Sequence, residues 1–150
     1  MAYEPTTIAN YFIQEKSSLG KLTPMKIIKL TYLSYSWYLA LSKGELSLLN
    51  EKPQAWKYGP VFSSLYDRLK KNGKLEVQSK LPTYNEEVIT NEISLFLDKI
   101  WGKYGQYTGV ELSAMTHSDG TPWDESYIPM MNNVITDEMI LKHYYPKLTN

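Results

Sequence analysis

The chain has no cysteine, two histidines and a single arginine, and each scarcity removes a class of chemistry. Without thiols there is neither a disulfide framework nor a thiolate metal site, and the composition fits a reducing cytoplasm. His117 and His143 offer no His-x-x-x-His spacing, so no metal, cofactor or catalytic residue is predicted. His117-Ser118-Asp119 holds the letters of a hydrolytic triad, but triad members converge from separated loops. A histidine at a helix end, bonding free carbonyls, is the stronger reading. No glycine-rich phosphate loop occurs. No run of about 18 apolar residues is present, which predicts no membrane span. Nor does a basic stretch followed by an apolar one open the chain, so no signal peptide is expected. One arginine beside 15 lysines leaves direct, sequence-specific nucleic-acid reading poorly supplied.

What the chain does have is tyrosine, 13 of them, and a charge balance of zero that hides a division. Residues 1–75 carry 11 basic and 5 acidic side chains; residues 76–150 carry 5 and 11. Such opposed patches would guide a charged partner or allow self-complementary pairing into a homo-oligomer. Tyrosine supplies stiff, amphipathic area that suits cores and protein interfaces alike. At 150 residues the chain fits one domain with a sizeable core.

The expected fold is mainly α: a compact single helical domain of about five to six helices, with room for one small β-hairpin. Thr6 or Thr7 can cap a first helix through about Lys16. Thr23-Pro24 opens the strongest one, to about Leu41, apolar around most of its circumference and therefore central. Lys26 and Lys29 stand near its N-terminus, unfavourably placed against the dipole unless an anion offsets them. Lys29 is read as solvated; Lys26 is kept as a partner-binding candidate. Residues 45–56 read as a short extended segment or irregular loop, and 74–80 as a short strand. Thr90, Thr108 and Thr136 can cap further helices to about Tyr104, Thr116 and Tyr145.

Two segments are dense with turn formers and aromatics. In Ala55-Trp56-Lys57-Tyr58-Gly59-Pro60-Val61, Gly59 can serve as N-cap and Pro60 as first residue of a helix running to about Lys71. Val61, Phe62, Leu65, Tyr66 and Leu69 would form its buried face. Extended backbone before it would send Trp56 and Tyr58 to one side. In the second segment, Asp119-Gly120 makes a turn and Pro122 fixes the backbone that presents Trp123. Trp56, Lys57, Tyr58, His117 and Trp123 join Lys26 as candidates for touching a partner, since Trp and Tyr dominate binding hot spots.

These same residues carry a resemblance. Ala9-Asn10-Tyr11-Phe12-Ile13, Leu22-Thr23-Pro24-Met25-Lys26-Ile27-Ile28-Lys29-Leu30-Thr31-Tyr32-Leu33, Trp37-Tyr38-Leu39-Ala40, Ala55-Trp56-Lys57-Tyr58-Gly59-Pro60-Val61 with Ser64-Leu65-Tyr66, and His117 with Thr121-Pro122-Trp123 occur in this order. Together they resemble the phage-associated Panacea domain, the SocA-like antitoxin family, over roughly residues 5–145. Thr121 stands where the family usually has serine, and keeps the hydroxyl. The resemblance implies a toxin–antitoxin system in which the protein binds a cognate protein toxin and suppresses it. It implies Trp37, Gly59, Pro60, Leu65 and Tyr66 as motif residues rather than chemistry. Some relatives carry an additional N-terminal DNA-binding region, for which the first helix here leaves no space. Alternatives are a protease adaptor that delivers the toxin for degradation and an enzyme whose pocket gathers His117, Tyr58 and Lys57.

Overall fold

The computed structural model describes residues 2–149. Among them are seven α-helices and one two-stranded antiparallel sheet, a mainly-α domain as expected. The helix α2 (Pro24–Leu41) is its axis: of its 18 residues only Met25, Tyr38 and Leu41 escape full burial. The helices α1 (Pro5–Lys16), α3 (Ser63–Leu69), α4 (Asn91–Tyr104), α5 (Gly109–Thr116) and α7 (Asp137–Tyr144) all pack against it. The short α6 (Pro122–Ser126) lies on α7 and on the hairpin. No helix among the described residues is long and apolar enough to cross a membrane.

The helix starts follow from their caps. Thr23, Thr90, Thr108, Thr121 and Thr136 each sit in extended backbone and accept from an N–H three residues on. Each satisfies a donor that the first turn leaves orphaned. Thr108 and Glu111 complete a reciprocal capping box. Thr121 uses its hydroxyl as the cap of α6. The exception is α1. It starts at Pro5, with Glu4 as the preceding residue, rather than at a threonine cap. Proline there loses only an N–H that would be unpaired anyway. The Glu4 carboxylate is used elsewhere, accepting from the N–H groups of Tyr84 and Asn85.

Two elements differ from expectation. Residues 74–80 form no strand; Val77 docks by one backbone bond to Leu22 O at 2.7 Å. The loop beyond is held by side chains instead, Asn10 bonding both N–H and C=O of Leu81. The larger correction concerns Gly59-Pro60, which is not a helix start. Gly59–Val61 is strand β2, paired with β1 (Gln54–Trp56) through Trp56 opposite Gly59 and Ala55 opposite Pro60. The helix α3 begins at Ser63, and a 3-10 turn, Lys70–Asn72, extends it. Pro60 fits the strand because β2 is an edge that needs no N–H from it. The other side of β1 is bonded to residues 133–135, Ala55 donating to Asn133 O and Ile135 to Pro53 O, both at 2.8 Å.

Candidate functional site

Lys57 and Tyr58 are the two-residue tip of this hairpin. Both are exposed, Tyr58 by 62%, and both line a cleft of about 530 Å3. The cleft lies between the hairpin, the N-terminal ends of α2 and α5, and α3 with its following turn. Its buried residues are Pro24, Ile28, Lys29, Gly59, Val61, Leu69 and Gly109; Trp56, Tyr66 and Val110 add apolar and aromatic wall. The Trp56 and Tyr66 rings meet edge-on at 5.0 Å, and Lys57 Nζ stands 5.4 Å from the Tyr58 ring centre.

Three side chains from three elements hold the segment in place by alternate carbonyls. Trp123 Nε1 in α6 donates to Trp56 O at 2.6 Å. Ser113 Oγ in α5 donates to Tyr58 O at 2.7 Å. Lys29 Nζ in α2 donates to Pro60 O at 2.9 Å. Backbone carbonyls at a hairpin that lacks further strands would otherwise face desolvation unpaired. The widely separated sequence blocks thus converge on one strand–turn–strand unit. His117 stands behind it, its Nδ1 donating to Ser113 O at 2.5 Å and its ring edge-on to Trp123 at 5.1 Å. Trp123 also stacks on Tyr127, with centroids 4.6 Å apart. Replacing Trp123 with Phe keeps the stack but leaves the Trp56 carbonyl unpaired. Urea titration should show a loss of about 1–2 kcal/mol.

The two lysines of α2 have separate roles, and both are buried. Lys26 Nζ donates to Gly105 O at 2.6 Å and lies 4.9 Å from the Trp101 ring centre. The offset its position demanded is the carbonyl end of α4, whose dipole favours a cation. Burial lowers its pKa, with Glu111 opposing. Lys26 does not line the cleft. Lys29, read from sequence as solvated, is 4% exposed, and its ammonium donates to Pro60 O. Burial pushes its pKa down to about 7. No local signal distinguished it from a surface lysine, because β2 crossing α2 is what buries it.

The structure therefore brings Trp56, Lys57, Tyr58, Gly59 and Tyr66 to one cleft and sets His117 and Trp123 behind it. Leu65 is fully buried. Trp37 lies in the core, donating to Tyr104 Oη at 2.7 Å and meeting the Tyr144 ring at 5.1 Å. The cleft does not gather His117 with Lys57 and Tyr58, as the enzymatic alternative requires. Among the described residues no cluster of three or more His, Asp or Glu side chains could hold a metal ion. Sequence reasoning missed Lys29, Val110, Lys70 and Lys74 as cleft residues.

Residues 27–124 match the family described as "Antitoxin SocA-like, Panacea domain", a span that contains all of α2 beyond its first three residues, the hairpin, α5 and the Pro122-Trp123 clasp. The chain belongs to the SocA-like Panacea-domain family. It is similar to Antitoxin SocA of Caulobacter vibrioides, 25% identical over 127 residues, covering 78% of this chain and 66% of that protein. No solved structure matches it.

Proposed function

We propose that the protein is the antitoxin of a toxin–antitoxin pair and neutralises a protein toxin by binding it directly, with the Lys57-Tyr58 turn and the cleft beneath it as the contact surface. The observation that supports this reading is the turn's construction. A tyrosine 62% exposed is presented by backbone fixed at three carbonyls, so little conformational entropy is lost when a partner covers it. Rigid, exposed Tyr beside a half-buried Trp is the composition of a binding hot spot. The turn lies within the residues that match the family, and the relative in Caulobacter vibrioides is named an antitoxin.

The test is co-expression with the product of the adjacent open reading frame, followed by purification of the complex. Growth arrest by that product, relieved by this protein through a stable complex with the toxin's abundance unchanged, is the expected result. Relief accompanied by disappearance of the toxin would indicate delivery to a protease instead. Within the complex, Tyr58→Ala should weaken affinity by roughly 30-fold, a loss of about 2 kcal/mol. Its thermal midpoint should hardly move, because an exposed side chain carries little of the fold. Calorimetric titration and a melting curve on the same sample separate the two effects.

A further inference from the structure

The cleft's charges share one sign. Four lysines line it, Lys29, Lys57, Lys70 and Lys74, and no aspartate or glutamate does. All four belong to the basic half of the sequence, so the charge division becomes a spatial one here. The N-terminus of α2 also opens onto the cleft through Thr23, Pro24 and Met25, with no acidic residue in its first turn. Its dipole adds to the positive potential. Two acids adjoin the lining in sequence without lining the cleft: Glu111 is occupied in the capping box of α5, and Asp67 pairs with Lys70 at 3.4 Å across an exposed i,i+3 bridge, which is weak enough for a partner's carboxylate to replace. Between these charges the surface is apolar, and its volume of about 530 Å3 suffices for several large side chains.

We propose that the cleft receives an acidic amphipathic segment of the toxin, whose apolar side chains enter over Ile28, Val61 and Leu69 while its Asp or Glu side chains meet Lys57, Lys70 and Lys74. This rests on the antitoxin reading above and specifies the chemistry of the partner. An apolar floor with exposed charges at the rim, and the buried Lys29 spent on the Pro60 carbonyl, fits a peptide that alternates the two characters. A nucleic acid would instead need a continuous basic track and stacking surface for successive bases. Opposite charge at the rim also accelerates encounter and makes it salt-sensitive.

The experiment uses the complex of the full chain with the adjacent-gene product. Carbodiimide, which joins amines to carboxylates in direct contact, should cross-link Lys57, Lys70 and Lys74 to acids clustered within one toxin segment. The triple charge reversal Lys57→Glu, Lys70→Glu, Lys74→Glu alters only exposed side chains and should leave the melting temperature within a few degrees of the parent's. It should weaken the complex at least 30-fold at low salt and flatten its salt dependence, and Lys substitutions in the cross-linked toxin segment should restore binding. A complex that forms normally with the triple variant, or cross-links that fall elsewhere, overturns the cleft assignment and leaves the antitoxin reading standing. Displacement of the toxin from the cleft by a 20-nucleotide single strand would overturn it in favour of nucleic acid. Absence of any complex with the parent protein overturns both.

Discussion

Lys29→Met is expected to raise the free energy of unfolding by roughly 2–3 kcal/mol at pH 7, on the order of 5–10 °C in melting temperature. Burial is the sole cause holding the Lys29 pKa near 7 against an ordinary 10.5, with no carboxylate compensating. That difference corresponds to roughly 4–5 kcal/mol of destabilisation wherever the buried amine must be charged. Against it stands the hydrogen bond to Pro60 O at 2.9 Å, whose loss leaves a carbonyl unpaired at a cost of about 1–3 kcal/mol. Methionine is close in length and shape, so no cavity term enters.

The pH dependence has a definite sign. Below about pH 7 the lysine is charged in both folded and unfolded chains, and the folded state bears the full cost. Between about 7 and 10.5 the folded lysine is neutral while the unfolded one keeps its proton. The unfolded state then binds more protons, so the parent protein gains stability as pH rises. The advantage of Lys29→Met must therefore be largest at pH 6–7 and shrink steadily toward pH 9.5. Tyrosines whose pKa burial raises, Tyr32 and Tyr35 among them, act in the opposite direction near pH 10 but equally in both proteins, and cancel in the difference. Urea titrations at three pH values measure it. A Met variant less stable at every pH would mean that the ammonium is compensated in the fold. If the gain is observed, the lysine is retained at the cleft against stability, which is the pattern of a functional position.

Local chemistry made much of the fold legible. Thr23-Pro24, Thr90, Thr108 and Thr136 each combine a cap with the periodic apolar face that follows, and all four helices start where those residues place them. Gly59-Pro60 was misread because the same dipeptide satisfies two local rules. Proline after glycine suits the first turn of a helix, and it suits an edge strand leaving a tight turn equally well. What decides for the strand is distant: β1 is bonded to residues 133–135, and α5, α6 and α2 each hold a carbonyl of the turn. Val77 failed in the converse way, having the alternation of a strand but no neighbouring strand to pair with. The cleft was half visible. Trp56, Lys57 and Tyr58 were singled out by residue type, whereas Lys29 looked like any lysine until β2 was laid across it.

Gly59→Ala is expected to cost about 3 kcal/mol, although it adds a single methyl group. The residue has φ of +115°, a conformation in which an L side chain is strained by roughly 1–3 kcal/mol. The added Cβ would also lie 2.8 Å from Lys29 Nζ and 3.3 Å from its Cε, well inside contact distance. The lysine must then withdraw from the Pro60 carbonyl in a buried setting, at a further cost of about 1–3 kcal/mol. Gly73 provides the comparison: its φ of +61° with ψ of −120° is also a glycine conformation, but nothing lies within 4 Å of a Cβ there, so alanine should cost its backbone strain alone, roughly 1–3 kcal/mol. In a Lys29→Ala background the steric part disappears, and Gly59→Ala should fall back to its backbone cost alone. Denaturant midpoints for the two glycine variants and the double variant decide the matter. Equal costs at Gly59 and Gly73, or no coupling between Gly59 and Lys29, would separate the turn from the buried lysine. Strong coupling would mean that the glycine's place in the motif is set by the amine beneath it as well as by the bend it makes.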